Sequence, residues 1–470
     1  MKINPLIFRE YDIRGMVGQD LTEEFAYLLG QAFADLVWEK GGKRVAVGHD
    51  CRLSSKPYAQ ALAKGLSEGG MDVLLTGMGP TPQLYFSLFA EKLDGGIQVT
   101  GSHNPPDQNG FKLCLGTRTL SGPEIQELGE RMRQLAGTSK GLSRQRGAVL
   151  EAGIQEEYIG ALIQNSKPHM GRRKLKIVVD AGNGVGGMVG PAVLKALGAE
   201  VVELYCEPDG RFPNHHPDPT VLKNIEQLME TVRKTKADFG IGWDGDADRI
   251  GVVDEKGQVI FGDLLLLIYG RDLLTQVPGA TIIGDVKCTS RLFEDLRSRG
   301  ANVIMWKTGH SPIKAKLYET GAELGGEMSG HMFFKHRYYG YDDAIYAAQR
   351  FAEIVSKTDR PVSELLSDLP PMVATPEIRV NCPEAIKFKI PERAKSAFPE
   401  YKVETIDGAR ITFEHGWGLV RASNTQPVLV LRFEATNQEY LEKYQELVNR
   451  RIEQIQKELG SCRREGGDGG

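Results

Sequence analysis

Apolar residues recur at helical spacing over 21–38, with Phe25, Leu28, Ala32 and Leu36 on one face, and Gly41-Gly42 closes the run. Strand-type apolar runs at 44–47, 71–75 and 97–100 interleave with helical stretches, so the first part of the chain predicts α/β layering. The pattern restarts near Lys174 with a strand at Lys176–Asp180, a helix over 191–197 and a strand over 200–205. It restarts again at Thr281–Asp285, with a helix over 290–299 and a strand at Asn302–Trp306. Three such blocks imply three α/β domains alike in pattern, without a residue-level repeat. Beyond Pro370-Pro371, which favour an extended link, strands are predicted over 409–414, 419–422 and 428–435, then an amphipathic helix over 438–459. That last block is α+β.

A length of 470 residues fits two to four domains at about 150 residues each. The polar, basic stretch 137–147 is a candidate boundary. A net charge of −4, with both signs well represented, implies neither nucleic acid nor membrane as a partner. The run at 264–269 is too short to span a bilayer, and residues 1–14 hold no signal-type apolar stretch. Six scattered cysteines without a CxxC spacing suit a reduced, cytoplasmic protein. The Gly-rich, charged stretch 461–470 is expected to be a disordered tail.

Four segments carry chemistry. Thr100-Gly-Ser-His-Asn-Pro105 follows a predicted strand and presents a hydroxyl, an imidazole and an amide. Gly101 is expected to bend the chain and Pro105 to stiffen its exit. Ser102 is placed to be a nucleophile or phosphate carrier, the bland reading being a polar turn, and no GxSxG elbow surrounds it. Asp244-Gly-Asp-Ala-Asp-Arg249 sets three carboxylates at alternate positions between two predicted strands. Such crowding calls for a hard cation, Mg²⁺ or Ca²⁺, with Arg249 able to hold a phosphate beside it. An EF-hand shares the opening spacing but wants glycine where Arg249 stands, and helices on both sides. In Gly325-Gly-Glu-Met-Ser-Gly-His331, alternation predicts that Glu327 and Ser329 point the same way from extended backbone, fit to grip sugar hydroxyls. His331 there is a candidate acid or base. Arg421-Ala-Ser-Asn-Thr-Gln-Pro427 is a candidate phosphate cradle. A fifth pattern, Gly182-x-Gly184-x-x-Gly187 with Glu203 downstream, supports a rival reading as an NAD-dependent dehydrogenase.

Together and in this order, after the opening Phe8-Arg-Glu-Tyr-Asp-Ile-Arg-Gly15, these segments resemble the α-D-phosphohexomutase family over nearly the whole chain. The resemblance implies three related α/β domains with mixed sheets plus a smaller α+β C-terminal domain around a central cleft. It places a phosphoserine-loop domain at 1–150, a metal-loop domain at 151–257, a sugar-loop domain at 258–370, a phosphate-loop domain at 371–460 and the tail at 461–470. It implies a phosphoserine at Ser102, which also meets the metal, and one Mg²⁺ per chain on Asp244, Asp246 and Asp248. Tyr11, Arg14, His103, Lys112 and Arg249 would line the reacting phosphate, with Lys112 and His331 as the acid/base candidates. Glu327, Ser329, Lys287, Thr308, Gly309 and His310 would hold the sugar, and Arg421, Ser423, Asn424 and Thr425 the distal phosphate. The expected activity is interconversion of hexose 1- and 6-phosphates, of mannose, glucose or both, through a hexose 1,6-bisphosphate, with glucose 1,6-bisphosphate as activator. Met328 and the Arg421–Pro427 loop favour the phosphomannomutase/phosphoglucomutase branch. A phosphoglucosamine mutase and a non-catalytic sugar-phosphate sensor are the alternatives within this resemblance. A monomer or dimer is expected, with the C-terminal domain turning as a lid.

Overall fold

The computed structural model describes residues 3–137, 144–423 and 427–461. Four sheets follow one another along the chain. In the first, Ile13–Met16, Gln108–Leu115, Gly95–Val99, Arg44–His49, Asp72–Met78 and Val149–Glu151 lie side by side, with Arg118–Thr119 paired to Gln108–Leu115. The second runs Val259–Ile260, Ile250–Asp254, Phe239–Trp243, Lys176–Asp180, Glu200–Leu204. The third runs Asn302–Trp306, Thr281–Asp285, Leu324–Gly326, Met332–Phe334. The fourth is antiparallel and carries the helix Gln438–Ser461 on one face. Expected helices form with ordinary end chemistry: Thr22 Oγ1 accepts from the Phe25 N–H at the start of Glu23–Glu39, where Glu23 and Glu24 face the positive end of the helix.

The first three sheets share one construction. A strand parallel to its inner neighbour turns back as the first arm of an antiparallel hairpin. Gly95–Val99 is parallel to Arg44–His49 and antiparallel to Gln108–Leu115. Phe239–Trp243 is parallel to Lys176–Asp180 and antiparallel to Ile250–Asp254. Leu324–Gly326 is parallel to Thr281–Asp285 and antiparallel to Met332–Phe334. Each hairpin tip is one of the predicted chemical loops. The carboxyl ends of parallel strands are where such folds place ligands, so one rule puts all three loops at the cleft. Strands on both sides of the aspartate loop exclude the EF-hand.

The helix Glu23–Glu39 and its surroundings have their own core, built on Phe25, Leu29 and Phe33. A larger core runs without a break from Leu84 and Phe86 through Tyr158 to Trp243, Tyr269 and Phe351, so the first three sheets are welded together. The fourth block is centred on Ile411, Leu431 and Val448 and meets the third through Val286, Trp417 and Leu419. Among the described residues no helix is long and apolar enough to cross a membrane. The stretch 138–143 and the tail 462–470 lie outside the described residues.

Candidate active site

The serine and aspartate loops meet at the centre. Ser102 is 2% exposed, and Asp244, Asp246 and Asp248 are fully buried. Ser102 Oγ donates to Asp244 Oδ2 at 2.8 Å and lies 3.1 Å from His103 Nδ1. The bend expected at Gly101 falls one residue later, because Ser102 itself takes the left-handed conformation at φ 49°. Gly245 is glycine because the two backbones touch there: an added Cβ would lie 2.4 Å from the Ser102 carbonyl oxygen.

The carboxylates offer ligand atoms within 4.8 Å of one another. Burial, then Asp246 and Asp248, push the Asp244 carboxyl well above the usual range. Burial opposes ionisation of Asp246 too, but Lys112 Nζ at 2.6 Å and Thr81 Oγ1 at 2.5 Å hold it down. Asp246 Oδ1 and Asp248 Oδ1 are buried without a hydrogen-bond partner. Three hard oxygens, two of them orphaned and one resisting ionisation, fit a divalent cation of the magnesium type.

Cationic side chains surround this point. Burial draws the Lys112 ammonium down, but Asp246 and Asp248 outweigh it and raise it, so Lys112 holds its proton. Lys112, one of the two acid/base candidates, is thus bonded to two of the three carboxylates. Arg14 is fixed by Asp12 at 2.8 Å and donates to the Gly101 carbonyl. Desolvation, then Arg249 and Arg14, push the His103 imidazole well below its usual range.

Arg249 Nε donates to His331 Nε2 at 3.0 Å, so His331 carries its proton on Nδ1, which faces Asp342 Oδ2 at 3.2 Å. Asp342 is in turn paired with Lys314 at 2.8 Å. Asp248, His331 and Asp342 have metal-like spacing, but the proton on Nδ1 occupies the position a metal would need. His331 therefore orients Arg249 here.

On the sugar-loop side, Glu327 Oε1 accepts from the Gly309 N–H at 2.6 Å and is raised by burial. The expected extended backbone is absent: the Gly330 N–H bonds the Glu327 carbonyl at 3.0 Å, closing a turn with Met328 and Ser329 at its centre. Glu327 and Ser329 are thus presented by a turn, and period-two alternation does not apply. Tyr11 donates to the Thr308 carbonyl at 2.8 Å and packs on His310, so it is held against the sugar-loop block. Thr308 Oγ1 bonds Asp285 Oδ2 at 2.9 Å. Across the gap, Lys287 Nζ lies 3.3 Å from Glu377 Oε2, and Arg421 Nε lies 3.2 Å from Asp407 Oδ2. Ser423 is buried beside them, while Asn424 and Thr425 lie outside the described residues.

Sequence reasoning missed Asp50, Arg52, Thr81, Asp285, Asp342, Glu377 and Asp407. Asp50 and Asp285 stand at the carboxyl ends of parallel strands, which is the signal that locates them. The rival dinucleotide site is closed. Gly184 is the glycine that would have to admit a pyrophosphate, and a Cβ there would lie 2.7 Å from the Gly245 carbonyl oxygen. The protein's own backbone fills the space a pyrophosphate would need.

Fold and site define a multidomain α/β phosphoryl-transfer enzyme, with a serine set on a buried triad of carboxylates. Four family models match in order: phosphoglucomutase/phosphomannomutase α/β/α domain I over 5–136, domain II over 156–257, domain III over 261–373 and the C-terminal domain over 377–451. The phosphomannomutase/phosphoglucomutase of Pseudomonas aeruginosa is 44% identical over 458 residues, 96% of each chain. The phosphoglucomutase of Neisseria meningitidis is 46% identical over 446 residues, 93% of this chain and 95% of that one. A crystal structure of a phosphoglucomutase/phosphomannomutase family protein from Burkholderia thailandensis, 42% identical, superposes with a TM-score of 0.89 over 97% of this chain and 98% of that one. The chain belongs to the phosphoglucomutase/phosphomannomutase family and is a phosphohexomutase.

Proposed function

We propose that the protein interconverts the 1- and 6-phosphates of glucose and mannose, with Ser102 as phosphoryl carrier. The observation that supports this reading is Ser102 Oγ at 2.8 Å from Asp244 within a buried carboxylate triad ringed by cations. Asp244, Asp246 and Asp248 would hold one Mg²⁺. When bound, that ion supplies positive charge to the transferring oxygens and the serine oxygen.

The remaining chemistry belongs to side chains. Phosphoryl transfer needs position and charge more than covalent help. Arg14, Lys112 and Arg249 neutralise the three equatorial oxygens, and His331 keeps Arg249 aimed. The bond between phosphorus and Ser102 Oγ breaks as the sugar hydroxyl oxygen forms its own, and the hydroxyl's proton ends on the freed Ser102 Oγ, giving a hexose 1,6-bisphosphate and the serine hydroxyl. That intermediate turns end over end and returns its other phosphate to Ser102. Glu327, Ser329, Lys287 and the Thr308-Gly309-His310 turn hold the sugar, with Tyr11 bracing that turn. Arg421 and Ser423, with Asn424 and Thr425, take the idle phosphate. Grips on hydroxyls away from C2 serve both epimers, and relatives carry both substrate names. Glucose 1,6-bisphosphate would load Ser102 as activator. The reading divides the chain at 150, 257 and 370, and takes it to act in the cytoplasm as a monomer or dimer.

A coupled assay with glucose 1-phosphate and mannose 1-phosphate, Mg²⁺ and trace glucose 1,6-bisphosphate tests it. Wild type should turn over both sugars, and Ser102→Ala should lose at least about 10³-fold in rate. Full activity in Ser102→Ala would refute the carrier.

A further inference from the structure

Behind the serine loop stands a polar group with no place in the chemistry above. The Arg52 side chain is fully buried, yet all five of its N–H groups are used. Nε bonds Asp50 Oδ2 at 3.2 Å. One terminal nitrogen donates to the carbonyls of Pro105 at 2.6 Å and Gln108 at 3.0 Å, and the other to those of Ser102 at 2.9 Å and Asn104 at 2.5 Å. Four of the five acceptors are therefore backbone carbonyls, three in the serine loop and one, Gln108, at the start of the strand that leaves it. Asp50 works on the same loop from below. It accepts from Thr100 Oγ1 at 2.8 Å and from the Gly101 N–H at 3.2 Å, and Thr100 Oγ1 in turn accepts from the Ser102 N–H at 2.8 Å. Ser55 Oγ at 2.5 Å and the Arg52 N–H at 2.9 Å fix the carboxylate itself.

Two further observations say what this clamp is for. Ser102 has φ 49°, a conformation that a residue with a β-carbon holds only where its surroundings over-determine it. Gly101 has no positive φ of its own, but a Cβ there would lie 2.4 Å from Arg52 Nε, so glycine is needed to admit the guanidinium. From the second domain, Phe212 covers that guanidinium at 5.0 Å from its ring centre.

We propose that Arg52 and Asp50 are a positioning pair that holds Ser102 in its left-handed conformation, with Oγ aimed at Asp244, throughout the reaction. The proposal rests on Ser102 being the phosphoryl carrier. Neither residue touches the substrate, so their loss misplaces the serine without removing a sugar contact. Lysine keeps the charge but supplies three donors on one nitrogen, which cannot span carbonyls on both sides of the fork.

The test measures kcat and KM for glucose 1-phosphate and melting temperature in Arg52→Lys, Arg52→Ala and Asp50→Asn, with Ser102→Ala in parallel. In Arg52→Lys, kcat should fall about 10²-fold with KM within about threefold of wild type. Millimolar guanidinium should raise the Arg52→Ala rate at least about tenfold by returning the fork of donors, while the split between kcat and KM is the readout that a merely structural role would not move. A kcat within about threefold of wild type, or a loss confined to KM, overturns the proposal. If Arg52→Ala does not fold, Arg52→Lys and Asp50→Asn decide by the same criterion. An active Ser102→Ala would instead remove the carrier reading itself. An inactive Ser102→Ala beside unaffected Arg52 and Asp50 variants would remove the positioning pair alone.

Discussion

Replacing Gly245 by alanine tests whether the serine and aspartate loops must touch. The added Cβ would lie 2.4 Å from the Ser102 carbonyl oxygen, where ordinary contact begins at 3.4 Å, so one loop must retreat by about 1 Å. Neither loop can yield freely. Arg52 holds the Ser102 carbonyl at 2.9 Å, and the Val185 N–H holds the Gly245 carbonyl at 3.1 Å. The displacement therefore falls on the 2.8 Å approach of Ser102 Oγ to Asp244. A misplacement of this size costs about 10²-fold in rate, or about 2.7 kcal/mol of barrier. Steady-state kcat on glucose 1-phosphate at saturating activator reads the effect, with thermal melting as the check on folding. Gly160→Ala is the control, because a Cβ there meets nothing within 4 Å and the residue sits inside the helix Ile154–Ser166. A Gly245→Ala enzyme with kcat within about threefold of wild type would show that the contact does not govern the chemistry.

Chelation should abolish turnover and Mg²⁺ should restore it, while Asp246→Asn should weaken Mg²⁺ binding by calorimetry, independently of any rate. Arg421→Ala should lower kcat/KM about 10- to 100-fold by removing a charged grip on the idle phosphate, and unchanged kinetics would move the cradle elsewhere. Burial raises the Asp343 carboxyl to about 6, against hydrogen bonds from the Tyr346 N–H and the Tyr338 and Tyr158 hydroxyls. The folded state then binds this proton more tightly than the unfolded chain, so stability is lost as pH rises from about 4 to about 6. The loss totals about 3 kcal/mol above that window. Asp343→Asn should flatten this part of the stability–pH curve in denaturant titrations, and an unchanged slope would assign it to other groups.

The α/β pattern was legible because strands and helices bury opposite periodicities, and predicted elements such as Lys176–Asp180 and Val428–Ala435 form where the pattern puts them. The chemical loops were legible because like charges or Gly/Ser/Asn clusters at strand ends have few other uses. The turn at Met328-Ser329 was not, since alternation predicts side-chain direction only while the backbone stays extended. Arg52 was hidden for another reason. An arginine in a polar loop reads as solvated, and only the three-dimensional return of four backbone carbonyls reveals why it is buried. Glu377 and Asp407 were likewise invisible, because their partners Lys287 and Arg421 lie 90 and 14 residues away in sequence.

The two ends of the cleft differ in how their charges are held, and the difference suits the proposed intermediate, which would have to turn around. At the reacting end, Ser102, the carboxylates, Arg249 and His331 are bonded to one another across blocks welded by a common core. At the distal end the cations are paired with carboxylates of the fourth block. Lys287 draws Glu377 down to about 2, and Asp407 raises Arg421 against the cost of its burial. On the proposed reading, a phosphate dianion entering there would exchange one anionic partner for another instead of meeting bare cations. When it left, Glu377 and Asp407 would take the cations back. Buried charges left without a partner are costly, so this exchange keeps the release of the idle phosphate inexpensive while the reacting end stays assembled. A bonded transfer centre opposite an exchangeable grip would let one site serve both phosphates of the proposed bisphosphate in turn.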